Sequence, residues 1–128
     1  MKDRILLVED EEDFASVASR LLEAEGFEVV IAGEADSARE SIRVQRPDLV
    51  VLDVVMPGKD GFSFASELSR SDECRHLPIV LLTCLADNPG ALGGAFEADL
   101  GQSVKAIVPK SNMVRDLVNA VRRALCCR

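Results

Sequence analysis

Apolar and polar residues alternate in blocks along this chain. Five short runs are largely apolar and rich in β-branched side chains, which is typical of strands buried on both faces of a sheet. The third run is followed by a Met-Pro-Gly turn, and a proline precedes it. The pattern therefore predicts five strands, at Arg4 to Val8, Phe27 to Ala32, Leu49 to Leu52, Pro78 to Leu82 and Val104 to Val108.

Segments with apolar residues at helical spacing follow most of these runs. The first predicted helix has acidic residues in its opening turn, where they complement the helix dipole, and it ends at Gly26. Its apolar positions are Phe14, Val17, Ala18, Leu21 and Leu22.

A helix is also predicted at the end of the chain, with Ser111 as its N-cap. The apolar stripe of this helix comprises Met113, Val114, Leu117, Val118, Val121 and Leu125.

Two further helices are predicted, at Glu34 to about Val44 and at Phe62 to Arg70. Between Asp87 and Gln102 the helical pattern is interrupted by one proline and several glycines, and each glycine costs about 1 kcal/mol inside a helix. We expect an atypical fourth helix region there.

Strands that alternate with helices predict an α/β fold, a single-domain (βα)5 doubly wound parallel sheet. We expect the flavodoxin-like strand order 2-1-3-4-5, a common arrangement of such sheets, in which the order reverses between strands one and three. In such sheets ligands bind beyond the carboxyl ends of the strands, at the point where the strand order reverses. Candidate functional residues should therefore follow strands one and three.

Composition limits the classes of function. The 128 residues carry a net charge of −7, which argues against a general nucleic-acid or membrane surface. No apolar run approaches the ~20 residues of a membrane span, and the acidic N-terminal stretch is unlike a signal peptide. Four cysteines without CxxC spacing and a single histidine provide no zinc set. We expect a reduced, cytoplasmic protein.

Chemically informative residues lie at four of the predicted strand ends. Glu9 and Asp10 follow strand one, Asp53 follows strand three, Thr83 follows strand four and Lys110 follows strand five. Carboxylates that converge in one crevice repel one another unless a cation lies among them. Oxygen ligands without a nearby thiol or imidazole favour Mg²⁺, or Mn²⁺.

Four stretches of the chain resemble the receiver domain of two-component response regulators, the CheY-like family: LLVEDEE, PDLVVLDVVMPGKDG, PIVLLT and IVPKS. The resemblance implies that Asp53 is the phosphoacceptor and that Thr83 and Lys110 contact the phosphoryl group. The implied metal ligands are Glu9, Asp10, Asp53 and the backbone carbonyl of Val55.

The same resemblance implies a function in phosphorelay signalling. The phosphoryl donor would be a sensor histidine kinase or a histidine phosphotransfer protein, and the chain would be a phosphoacceptor rather than an enzyme. We expect residues 1–128 to form one receiver domain, either alone or as the N-terminal part of a longer protein. The IVPKS ending is similar to that of receivers joined to DNA-binding domains, but it does not establish an output, and we expect no direct nucleic-acid binding by this domain.

The chain departs from the family pattern near the site. Ile107 stands where many receivers have a switch aromatic, and Cys84 stands where alanine or glycine is usual. Val55 and Leu85 are apolar at the two positions that flank the phosphoryl group, which predicts slow self-dephosphorylation. Because the region between Thr83 and Lys110 is unusual, the family's usual dimer cannot be assumed.

Other interpretations of the same residues exist. A receiver-shaped docking module could act without phosphorylation. A phosphatase of the haloacid dehalogenase type would need an acid where Val55 stands. Taken singly, Thr83 and Lys110 also fit an ordinary strand residue and a solvated lysine. Only their joint placement with the acids favours a site.

Overall fold

The computed structural model describes residues 2–54, 61–83 and 103–126. Five strands within these ranges form one parallel sheet in the order β2-β1-β3-β4-β5. The predicted strand order is therefore confirmed. The strands are β1 (Arg4–Val8), β2 (Glu28–Ala32), β3 (Leu49–Asp53), β4 (Ile79–Thr83) and β5 (Val104–Pro109).

Helices cover both faces of the sheet, as predicted. In chain order they are α1 (Glu12–Ala24), α2 (Ala35–Val44), α3 (Gly61–Arg70) and α4 (Met113–Cys126). Gly26, which follows the C-cap residue Glu25 of α1, has a φ of 95°, the left-handed conformation that glycine supplies at helix ends. The expected fourth helix region, Asp87 to Gln102, lies outside the described residues.

Strand residues alternate between two hydrophobic cores. One core lies under α2 and α3 and contains Leu6, Val50 and Leu81. The other lies under α1 and α4 and contains Ile5, Val51 and Leu82. Because both faces of the sheet are covered, β1, β3 and β4 are almost entirely buried, which explains their unbroken apolar sequences.

The apolar stripes predicted for α1 and α4 are each wrong at one residue. Val17 is 42% exposed and Val114 is 71% exposed. The buried positions include small residues instead, Ala15 on α1 and Ala120 on α4. Small side chains let a helix approach its neighbours closely, so the contact face is set by shape as well as by hydropathy.

Ser111, the predicted N-cap, lies two residues before the first residue of α4. Residues Lys110–Asn112 form a 3₁₀ turn, and α4 begins only at Met113. Tight 3₁₀ turns are common at the start of α-helices, and sequence patterns rarely distinguish them from a first α-helical turn.

The strand register brings the carboxyl ends of the strands together. Val8 of β1 is level with Leu52 of β3, so Glu9 and Asp53 are the next residues on adjacent strands. Thr83 of β4 is level with Pro109 of β5, and Lys110 follows immediately. Within the described ranges, no helix combines the length and apolarity that crossing a bilayer requires.

Candidate functional site

Three carboxylates converge where β1 and β3 end. Glu9, Asp10 and Asp53 each place one carboxylate oxygen within 4.8 Å of the others. The side chains of Glu9 and Asp53 are 0% and 3% exposed, whereas Asp10 is exposed. Two buried acids and one exposed acid thus form a cluster that is open to solvent on one side.

Lys110 contributes a positive charge to the same cluster. Its Nζ donates hydrogen bonds to Glu9 Oε1 at 3.2 Å and to Asp53 Oδ2 at 3.3 Å. Only 12% of the lysine side chain is exposed. Burial disfavours the ammonium ion, but the hydrogen bonds and negative charges of the two acids outweigh burial and raise the pKa of Lys110 above 10.5.

The surroundings of Glu9 disfavour a negative charge on its side chain. Burial, followed by the charge of Asp53, raises the pKa of Glu9 from 4.5 to about 7. The backbone N–H of Glu11, which donates to Glu9 Oε1 at 3.1 Å, and the Lys110 ammonium oppose this increase. These two groups therefore offset only part of the effect that burial and Asp53 have on the pKa of Glu9.

The acid cluster fits a hard divalent cation. Glu9 Oε2 is buried and has no hydrogen-bond partner among the described residues, although Lys110 Nζ lies 3.1 Å away in unsuitable hydrogen-bond geometry. A buried carboxylate oxygen without a hydrogen bond is costly, and a cation would satisfy it. The donor set consists only of carboxylate oxygens, which is the chemistry that Mg²⁺ prefers.

Phe14 is a site residue that the sequence interpretation assigned to the core. It lies in the first turn of α1, and Lys110 Nζ is 4.3 Å from the centroid of its ring. This distance is within the range of a cation–π interaction. A partly buried phenylalanine on an amphipathic helix gives no sequence signal of such a contact.

Gly61 is a second residue whose importance only the structure reveals. A Cβ at this position would lie 2.2 Å from the backbone oxygen of Asp53 and 2.6 Å from Val54 Cα. The Gly61 N–H also donates to the Val54 carbonyl oxygen at 2.6 Å. Glycine thus lets the start of α3 pack directly against the backbone of the residue that carries the central carboxylate.

Of the other predicted site residues, the structure describes Thr83 and Ile107. Thr83 is fully buried at the end of β4, next to Leu82, which is the register partner of Asp53. Ile107 is partly buried in β5 and packs against the core under α2 and α3. Val55, Cys84 and Leu85 lie outside the described residues.

A family model described as "Response regulator receiver domain" matches residues 5–122. The chain belongs to the response regulator receiver family. Receivers of this family are phosphoacceptors rather than conventional enzymes, and the matched region includes the whole acid cluster and Lys110.

Curated relatives of this receiver include two transcriptional regulators. Phosphate regulon transcriptional regulatory protein PhoB of Escherichia coli (strain K12) is 33% identical over 125 residues, which cover 98% of this chain and 54% of PhoB. DNA-binding response regulator MtrA of Mycobacterium tuberculosis (strain CDC 1551 / Oshkosh) is 33% identical over 115 residues, which cover 90% of this chain and 49% of MtrA. The receiver thus spans about half the length of these relatives.

Solved structures agree with this membership. A sensor protein from Polaromonas sp. JS666 has a TM-score of 0.88 at 25% identity, covering 99% of this chain and 98% of that one. The BeF3-activated N-terminal receiver domain of Klebsiella pneumoniae RstA has a TM-score of 0.78 at 28% identity, covering 96% and 98%. The alignments with these two structures therefore cover nearly all of the chain.

Proposed function

We propose that this receiver accepts a phosphoryl group on Asp53 and thereby changes its contacts with a partner or an output domain. The observation that carries the proposal is the buried cluster itself. One aspartate, at the end of a central strand, lies beside a second buried acid and within hydrogen-bond distance of an ammonium ion. Membership of the receiver family supports the same assignment.

The proposed reaction is a direct transfer. A carboxylate oxygen of Asp53 forms a bond to phosphorus while the bond between phosphorus and the donor's leaving group breaks. The leaving group departs with the electron pair, as acetate from acetyl phosphate or as a histidine nitrogen from a phosphohistidine. Because the protein supplies little covalent chemistry beyond the nucleophile, positioning and charge stabilisation make up most of its contribution.

Each residue of the cluster has a distinct proposed role. Lys110 provides a positive charge next to Asp53 for one phosphoryl oxygen, and the hydroxyl of Thr83 provides a hydrogen-bond donor for another. The proposed metal ligands are Glu9, Asp10, Asp53 and the backbone carbonyl of Val55. A bound Mg²⁺, or Mn²⁺, would neutralise charge on the transferred group.

Thr83 is also the proposed trigger. Its side chain is buried at the boundary between β4 and the residues that follow. A hydrogen bond from its hydroxyl to the phosphoryl group would favour one of two conformations at the end of β4. Phosphorylation of Asp53 would in this way alter the packing of neighbouring residues. Because Ile107 replaces the usual aromatic, this switch would operate without a moving ring.

Intact mass spectrometry tests the proposal directly. Incubation with acetyl phosphate and Mg²⁺ should increase the mass of the wild-type chain by one phosphoryl group. Asp53→Asn should abolish the increase, because an amide oxygen is not a competent nucleophile here. Asp13→Asn is the matched control, since Asp13 is an exposed acid in the first turn of α1. An unmodified wild-type chain, or an equally modified Asp53→Asn variant, would refute the proposal.

The donor and output follow from the family rather than from the site. We propose a sensor histidine kinase or a histidine phosphotransfer protein as the physiological donor, with the reaction in the cytoplasm and residues 1–128 acting as one receiver domain. PhoB and MtrA are named as a transcriptional regulator and a DNA-binding regulator. An output in transcription, carried by another domain or protein, is therefore the output we propose.

A second candidate is a docking module that binds its partner constitutively. The observation that favours it is Ile107, which removes the aromatic part of the usual switch while the fold is kept. In that case partner binding would be equal for the wild-type chain and Asp53→Asn, with or without acetyl phosphate.

A further inference from the structure

The Lys110 ammonium contacts an aromatic ring, that of Phe14, in addition to the two acids. Its ammonium nitrogen lies 4.3 Å from the centre of the Phe14 ring. The two hydrogen bonds to Glu9 and Asp53, at 3.2 Å and 3.3 Å, lie at or beyond the long end of the usual range. Glu9 Oε2 also lies 3.1 Å from this nitrogen, so Glu9 contributes two of the three acid oxygens around the ammonium.

The aromatic ring differs from the acids in one respect that affects function. Glu9 is a proposed metal ligand, so a bound cation would reduce the attraction between Glu9 and Lys110. The ring of Phe14 is neutral and ligates nothing, and its attraction for the ammonium does not depend on occupancy of the metal site. Phe14 is also anchored, since it packs against the core under α1 and α4.

We propose that Phe14 is a positioning residue that keeps the Lys110 ammonium beside Asp53 when Glu9 is engaged by a divalent cation. This inference rests on the proposed phosphoacceptor function. The ring holds the lysine in the place where a phosphoryl oxygen would arrive, and it presents no charge that the phosphoryl group would have to displace. The family match does not by itself assign this role to position 14.

The first arm of the test detects the contact without any phosphoryl transfer. Methylene protons next to the Lys110 ammonium should have resonances moved upfield by the Phe14 ring current, with and without Mg²⁺. Phe14→Leu should eliminate this displacement and Phe14→Tyr should retain it. Resonances of Lys110 that resemble those of exposed lysines in the Mg²⁺-loaded wild type would overturn the proposal.

The second arm measures the rate of modification by acetyl phosphate with Mg²⁺. Phe14→Leu should lower the rate about 2- to 5-fold, corresponding to the usual strength of a cation–π contact, and Phe14→Tyr should restore it. Phe27→Leu is the matched control. Phe27 belongs to the same core but precedes β2, which is the edge strand opposite β5. The Phe27→Leu variant should therefore be modified at the wild-type rate.

A double-mutant cycle separates positioning from general packing. In a Lys110→Ala background, Phe14→Leu should cause no further loss of rate, because the residue on which the ring acts has been removed. An equal loss in both backgrounds would overturn the proposal. If wild-type Asp53 accepts no phosphoryl group, the proposed function fails, whereas the resonance measurements still decide whether Phe14 holds Lys110.

Discussion

At the scale of single residues, Glu9 is the group whose ionisation matters most to the site. It is buried, adjacent to Asp53 and only partly compensated by Lys110. Its carboxylate therefore opposes folding when no cation is present, which is common where function requires charge in a buried place.

The stability of the metal-free protein should depend on pH through Glu9. The unfolded chain loses this proton near pH 4.5, whereas the folded protein retains it until about pH 7. Between these values the folded state binds more protons, so the free energy of unfolding falls as pH rises and the loss is complete above about pH 7. The contribution is on the order of 3 kcal/mol at most.

Urea unfolding between pH 4.5 and 8 in the presence of EDTA measures this effect. Glu9→Gln should remove the contribution, so that its stability exceeds that of the wild type increasingly as pH rises. Glu11→Gln, at the neighbouring exposed position, should retain the wild-type slope. Parallel pH profiles for the wild type and Glu9→Gln would contradict the assignment.

The sequence predicted that four charged residues would lie close together. The structure brings Glu9, Asp10, Asp53 and Lys110 together as predicted, because each follows a strand and parallel strands end at one edge. Phe14 and Gly61 were not predicted as site residues. Their importance depends on distances between atoms far apart in the chain, to a lysine about a hundred residues away in one case and to the β3 backbone in the other.

At the scale of elements, the apolar pattern of the sequence located the described strands and helices but not every residue that the helices bury. The strand boundaries agree within one residue because the strands coincide with the short apolar runs that the buried sheet requires. Helix faces were less well predicted. Val17 and Val114 fit the periodic pattern, yet both side chains are exposed.

The junction between β3 and α3 gives the element-scale prediction. Gly61→Ala would place a Cβ against backbone atoms of Asp53 and Val54, which cannot yield as a flexible side chain could. We expect a loss of stability of about 1 to 3 kcal/mol, as for other overpacked sites. Rates of modification on Asp53 should also fall, because the strain acts on the backbone that carries its carboxylate.

A matched substitution is available at Gly33, where an added Cβ would meet no atom within 4 Å. Gly33→Ala should stay within about 0.5 kcal/mol of the wild type and should retain its modification rate. Chemical denaturation of both variants gives their free energies of unfolding, and intact mass spectrometry gives their rates of modification on Asp53. Equal behaviour of the two alanine variants would show that the close approach at Gly61 is not a constraint.

At the scale of the whole molecule, the site connects elements that are distant in sequence. Two of its acids follow β1 and the third ends β3, its lysine follows β5, and the aromatic ring comes from α1. Unfolding of the sheet would therefore separate all of these groups. A ligand that binds the acid cluster should consequently stabilise the whole fold against unfolding, and not only one loop.

Divalent cation binding should raise the thermal unfolding midpoint of the entire chain. A ligand that binds only the folded state, at about ten times its dissociation constant, adds about 1.4 kcal/mol, which corresponds to a few degrees for a domain of this size. Asp10→Asn should remove most of the increase, because its exposed carboxylate is one of three in the cluster. Asp13→Asn should retain the increase, since that acid lies outside the cluster.

Scanning calorimetry with and without excess Mg²⁺ separates a specific site from general screening of the −7 net charge. Screening would raise the midpoints of the wild type, Asp10→Asn and Asp13→Asn alike, and NaCl at matched ionic strength would reproduce it. A site formed by the cluster would raise the midpoint only where Asp10 is intact, beyond the effect of NaCl. Equal increases in all three proteins would mean that these carboxylates, although close together, do not bind the cation as a unit.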